Sequence, residues 1–248
     1  MTSTLTPTLT PAEPGTEPGS TSALGRIVRL RRRAVLTAEQ AADADRRLAG
    51  ATPSSIVEWA VERFGRRLVL TTSFTETTLV DIAVKVDPDI EIVFLDTGFH
   101  FPETLAAARR AMERYAPNLT VLRPAADAPD PWRVGTESCC DARKTRPLDD
   151  YLSGHADAWL SGVRRADGSD RADAPIVSID RRGLVKVNPI VAMTDEEYEA
   201  YNLANDVVMN TLRWDGYASI GCWPCTEPAV DRSGRWSGSD KTECGLHL

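Results

Sequence analysis

Between residues 67 and 124 the sequence switches repeatedly between strand-like and helix-like patterning, and this alternation limits the fold more than any other feature. RLVLTTS (67–73) is a short β-rich run, TLVDIAVKV (78–86) reads as a helix, and IEIVFLDTG (90–98) reads as a second buried strand. PETLAAARRAMERYA (102–116) is a second helix with proline at its start, and LTVLRP (119–124) is a third strand. Parallel strands need a crossover between them, so strands and helices alternating at this spacing imply βαβ units and a parallel sheet flanked by helices. Ligands of such sheets sit beyond the carboxyl ends of the strands, where TTSFTETT (71–78) and LDTGFHFPET (95–104) fall.

The rest of the chain fits around this unit. The first 22 residues are mostly Thr, Pro, Gly, Ser and Glu, too little apolar surface for a core, and read as a disordered leader. Thr37 with Gln40 and Ser55 with Glu58 have capping-box spacing, so two helices are expected before the first strand. Residues 23–232 are expected to form one α/β nucleotide-binding domain, and 233–248 a mobile C-terminal tail. No run of about 18 apolar residues is present, so no membrane span is expected, and no secretory signal is visible. A net charge of −7 excludes broad nucleic-acid or anionic-membrane binding. Five cysteines, all beyond residue 138, suit a reducing cytoplasm better than a disulfide framework. A homo-oligomer stays open.

Two strand-end loops carry the candidate nucleotide contacts. TTSFTETT would present hydroxyls and backbone N–H groups at a helix N-terminus, a natural anion site, although a simple Ser/Thr cap reads the same way. Asp96 could hold a ribose hydroxyl or merely cap its turn. On consecutive strands, the two loops together favour a nucleotide. GVRRADGSDR and DRSGRW add Arg164, Arg165, Arg171, Arg232 and Arg235, whose forked guanidinium groups suit phosphate and sulfate oxygens; at least two of the five are expected to be ordinary surface cations.

The cysteines are more specific. Cys139 and Cys140 are adjacent in ESCCDARKTRPL, and Cys222 and Cys225 form a CxxC in GCWPCTEP. Four thiolates from two segments can bind zinc or an iron–sulfur cluster. Adjacent cysteines fit zinc poorly, because structural zinc ligands are usually two to four residues apart. A thioredoxin-like dithiol should open a helix within a βαβ unit, whereas Cys225 runs into Thr226, Glu227 and Pro228. Spacing therefore favours the cluster, with zinc and a dithiol as alternatives.

SCCDARKTRPL, GCWPC, DRSGRW and the terminal KTECGLH, with SF at 73–74, LDTG at 95–98 and GVRR at 162–165, resemble the assimilatory adenylyl-sulfate (adenosine 5'-phosphosulfate) reductases. The similarity runs from about residue 55 to the end. It implies an adenine-nucleotide α-hydrolase-like fold and a 4Fe-4S cluster on Cys139, Cys140, Cys222 and Cys225. The implied reaction is reduction of adenosine 5'-phosphosulfate to sulfite and AMP with electrons from thioredoxin, in sulfate assimilation. By the same resemblance Cys244 attacks the substrate sulfur and becomes a thiosulfonate, and Lys144 reaches between cluster and phosphosulfate. Arg232 and Arg235 match the arginines that hold the anionic end. Ser73, Leu95, Gly162 and Arg165 fall in the loops that hold adenosine and phosphate. His247 would orient the sulfonate or assist the thiol, or else is an exposed terminal histidine without a role. Relatives that reduce the 3'-phosphorylated substrate usually lack the four cluster cysteines, so the unphosphorylated one is expected; some cluster-bearing members accept both. A nucleotide-binding sulfur-transfer protein with structural zinc is the alternative from another class. The sequence departs from the family pattern at Thr75 and Glu76, where relatives often read Gly-Ala, and in RRADGSDR, which lacks a common Ser-Pro.

Overall fold

A computed structural model of the chain describes residues 36–115, 118–237, 241, 243, 245 and 246. The leader at 1–22 lies outside these residues, as do Cys244 and His247. The chain runs through helices α1 (Ala38–Leu48) and α2 (Pro53–Phe64) into β1 (Leu68–Thr72), α3 (Thr78–Val86), β2 (Glu91–Leu95), α4 (Pro102–Tyr115) and β3 (Asn118–Leu122). There follow α5 (Pro131–Cys140), α6 (Arg146–His155), β4 (Ala158–Leu160), β5 (Val177–Ile179), β6 (Val185–Val187) and α7 (Asp195–Ala204). Among the described residues no helix is long and apolar enough to cross a membrane.

The capping box expected at Thr37 is formed, with Thr37 and Gln40 exchanging side-chain-to-backbone bonds. The second helix starts earlier than its Ser55–Glu58 spacing suggests. Thr52 is the cap, its hydroxyl accepting from the Ser55 N–H, and Pro53 takes the first helical position, where its missing N–H costs nothing.

The six strands lie in the order β3-β2-β1-β4-β6-β5, all pairs parallel except β5 with β6. Side chains alternate across the sheet as period 2 requires. Leu68 and Leu70 join the core packed under α1, α2 and α3, while Val69 between them joins Leu148, Leu152 and Trp159 on the other face. Each such fully buried side chain stabilises the fold by roughly 1.5–3 kcal/mol relative to exposure. Because β2 lies on one side of β1 and β4 on the other, the chain order reverses between β1 and β4, and a crevice opens beyond their carboxyl ends.

One stretch carries unusual helical geometry. α5 breaks at Gly135, whose φ of 77° is left-handed. Asp141–Thr145 then forms a π-helical turn before α6, so Cys139, Cys140 and Lys144 sit on one continuous helical rod beneath the crevice mouth. Single π turns inside helices concentrate at functional sites.

Candidate active site

The crevice at the β1–β4 switch point is a cleft of about 740 Å³. Of the residues named from the sequence, Ser73, Leu95, Lys144, Gly162, Arg164, Arg171, Arg232 and Arg235 line it. The loop after β1 turns sharply at Phe74, whose φ is 52° and whose N–H donates to the Thr72 hydroxyl at 3.1 Å. Burial of the Phe74 ring, which is fully enclosed against Phe94, holds this strained residue in place.

Two sequence assignments land elsewhere. Arg165 is exposed, and its Nε donates to the Ala174 carbonyl at 2.9 Å; Arg164 lines the cleft instead. The backbone is extended at Arg164 and enters a 3₁₀ turn at Arg165, and of the two arginines of GVRR only Arg164 lines the cleft. Arg164 is only 8% exposed, pairs with Asp167 at 3.0 Å and Asp195 at 2.9 Å, and lies 4.3 Å over the Tyr198 ring. Asp96 is absent from the cleft lining. It accepts from the Gly98 N–H at 3.1 Å and pairs with Arg123 at 3.2 Å, which makes it a turn cap.

Sequence reasoning missed an acidic wall. Glu76 accepts from the Tyr198 hydroxyl at 2.5 Å, and burial raises the pKa of its carboxyl above the usual range, against the opposing pull of that hydrogen bond and of Arg164 and Arg213. Its departure from Gly-Ala after SF was the one available signal, and it named no partner. From Arg164 the charges alternate toward the tail: Asp167 bridges Arg164 and Arg171, Glu243 joins Arg171 at 2.7 Å and Arg232 at 3.2 Å. Glu243 and Leu246, one on either side of position 244, both line the cleft.

Behind the cleft lies a smaller cavity lined by Cys139, Cys140, Cys222 and Cys225, so the four thiols of two distant segments meet. Lys144 and Arg235 line both cavities and stand between them. The CxxC loop is tied down by the Trp223 N–H, which donates to the Phe99 carbonyl at 2.9 Å, and by contact of the Thr97 hydroxyl with Cys222 Sγ at 3.3 Å. Arg143 fastens the floor, donating to the Thr97, Ala128 and Pro129 carbonyls.

Among the described residues no group of three or more His, Cys, Asp or Glu side chains is arranged to hold a metal ion. Four cysteines ranged around one small cavity can supply the four thiolates of an iron–sulfur cluster. Burial, then the neighbouring Cys140, pushes the Cys139 thiol up to about 11, and burial with Cys222 raises Cys225. Such thiols ionise when a bound metal centre compensates them, so the four cysteines can serve as its ligands.

A parallel sheet with its ligand cleft at the switch point, walled by a hydroxyl loop and cations, defines an adenine-nucleotide α-hydrolase-like protein. The chain belongs to the phosphoadenosine phosphosulfate reductase domain family, whose model matches residues 67–228. It is 41% identical over 219 residues to the adenosine 5'-phosphosulfate reductase of Mycolicibacterium smegmatis, covering 81% of this chain and 90% of the relative. It is 39% identical over 218 residues to the protein of the same name from Streptomyces coelicolor, covering 82% and 92%. A crystal structure of phosphoadenylyl-sulfate reductase from Candida auris, a phosphate complex, superposes with a TM-score of 0.69 at 26% identity over 77% of this chain and 98% of that one. Candida glabrata FMN adenylyltransferase with FAD and pyrophosphate shares the fold alone, with a TM-score of 0.56 at 11% identity over 78% and 68%.

Proposed function

We propose that this chain reduces adenosine 5'-phosphosulfate to sulfite and AMP, with Cys244 as nucleophile and thioredoxin as reductant, in a reducing compartment such as the cytoplasm. The observation that carries the reading is the shared wall. Lys144 and Arg235 line both a nucleotide-sized cleft and a four-cysteine cavity, and residues on either side of position 244 line the same cleft. The relatives named adenosine 5'-phosphosulfate reductase support the substrate.

In this reading Ser73, Leu95 and Gly162 receive the adenosine and its phosphate, with Arg164 replacing Arg165 on the cleft wall. Lys144, Arg232 and Arg235 compensate the phosphosulfate. The Cys244 thiolate attacks the sulfur, the S–O bond to the phosphate breaks, and AMP leaves with the electron pair. A thiolate suits this electrophile because it is soft and strongly nucleophilic. One thiol of thioredoxin then attacks the Cys244 sulfur and expels sulfite. The second thiol closes the thioredoxin disulfide and returns Cys244 as a thiol, which accounts for both electrons. His247 is proposed to orient the sulfonate. Cys139, Cys140, Cys222 and Cys225 would hold a 4Fe-4S cluster, which when bound supplies a covalent tie between the two segments and a charged neighbour for Lys144.

Protein purified without oxygen should be brown and carry iron and acid-labile sulfide. Cys140→Ser and Cys225→Ser should each lose the colour and the iron, and lose about 2–4 kcal/mol of stability, as removal of a structural metal tie does. Iron at wild-type content in both variants, or zinc in place of iron in the native protein, would show the cluster assignment to be wrong.

A further inference from the structure

Resting on the reading of Cys244 as nucleophile, we infer that Glu243 and Arg171 form a latch that docks the C-terminal tail, and that Arg171 serves the tail rather than the substrate. Arg171 Nη2 and Nε both donate to one carboxylate oxygen of Glu243, at 2.7 and 2.9 Å. Its Nη1 donates to Asp167 at 3.0 Å. The side chains of Arg171 and Glu243 are only 13% and 11% exposed, so this is an enclosed pair rather than a surface one. Nε, Nη1 and Nη2 of Arg171 are thus all turned to Asp167 and Glu243, and Glu243 also accepts from Arg232 at 3.2 Å, so the carboxylate joins the tail to two arginines of the cleft wall.

Two further contacts place the tail on the same site. Gly245 approaches the π turn so closely that a Cβ there would lie 3.0 Å from the Thr145 hydroxyl, next to Lys144. Leu246 packs against the core face that holds Val69, Val93 and Leu95. Glu243 immediately precedes position 244, so a carboxylate fixed at 243 and a close-packed glycine at 245 hold the backbone on both sides of it. Glu243 is thus a positioning residue, acting through Cys244.

Removing one partner of an enclosed ion pair normally strands a charge at high cost. Here Asp167 stays with Arg171 when the tail departs, and Arg164 stays with Asp167 at 3.0 Å. The loop after β4 keeps its charges paired whether or not the tail is docked. That lowers the cost of release, which the tail needs if a protein reductant is to reach residue 244 after the substrate has been attacked.

Trypsin cleavage after Lys241 tests the latch without turnover, followed by mass spectrometry as loss of residues 242–248 from full-length protein. Glu243→Gln and Arg171→Gln should each speed this cleavage by about tenfold to a hundredfold, the range for losing a charge-assisted contact. In turnover with adenosine 5'-phosphosulfate, both should lower kcat and leave KM within about twofold of wild type, with the double variant no worse than either single one. Glu243→Gln keeps the side-chain shape near the chain end, and an unchanged thermal midpoint shows that the fold is intact. Cleavage within about twofold of wild type in both variants would overturn the latch. So would a rise of more than about tenfold in KM for Arg171→Gln, which would make that arginine a substrate contact. The cleavage result stands whether or not the chain reduces the phosphosulfate, so failure of the latch and failure of the proposed reaction are separable.

Discussion

Cys244→Ser should abolish sulfite release while iron content and nucleotide affinity stay near wild type. Serine fills the same space, but its hydroxyl is far harder to ionise and is a poor match for a sulfur electrophile. Removing a covalent nucleophile typically costs on the order of 10⁴–10⁶ in kcat. The loss should be confined to chemistry, since the cleft residues that receive the nucleotide belong to strand-end loops and the four cavity cysteines are elsewhere in the chain. Sulfite release, bound iron and nucleotide binding measured on one preparation separate the outcomes. Turnover within about tenfold of wild type would remove Cys244 from the reaction. Iron lost together with activity would place it in the cavity instead.

The next largest effect should come from the wall between the two cavities. The phosphosulfate carries two negative charges, and enclosing them without partners would be prohibitive. Negative charge also moves onto the AMP phosphate as the S–O bond breaks, so cations beside it act more strongly in the transition state than in the bound substrate. Lys144→Ala and Arg235→Ala should each lower kcat/KM by about tenfold to a thousandfold, corresponding to one charge-assisted contact of about 1.5–4 kcal/mol. Arg235 has a second handle. Its guanidinium lies against Gly221, where a Cβ would come within 2.4 Å of it, and its Nη1 donates to the Ile220 carbonyl at 3.2 Å. Gly221→Ala, which leaves the charge in place but displaces the group, should therefore lose activity in the same direction as Arg235→Ala. If Lys144→Ala and Arg235→Ala both stay within about twofold of wild type, the anion is held elsewhere. Exposed cations contribute well under about 1 kcal/mol each, so the two cases are well separated.

The strands and helices from Leu68 to Leu122 were legible because each carries its own period, and their order implied the sheet and its ligand edge. The three short strands after residue 157 were not. Three residues do not establish alternation, and β4 and β6 are apolar enough to read equally as buried loop. The rod from Cys139 through the π turn into α6 was hidden by Pro147, which looks like a breaker but sits in the first turn of α6, whereas Gly135 does break α5 at a left-handed kink. Residue chemistry identified the convergence of Cys139, Cys140, Cys222 and Cys225, because thiol pairs in two segments have few uses. It named both arginines of GVRR, of which only Arg164 lines the cleft, since the facing of one side chain depends on a backbone turn that sequence alone does not fix. The Glu76–Tyr198 and Arg171–Glu243 pairs lie 122 and 72 residues apart in the chain, and no local pattern announces such partners.

The central claim is that Cys244 receives the sulfonate. Full-length protein, reduced, freed of thiols and mixed with adenosine 5'-phosphosulfate without thioredoxin, should gain the mass of one sulfonate group and release one equivalent of AMP. After trypsin the added mass should lie on residues 242–248, and it should leave as sulfite when reduced thioredoxin is added. An unmodified 242–248 peptide, or the sulfonate on Cys139, Cys140, Cys222 or Cys225, would contradict the mechanism.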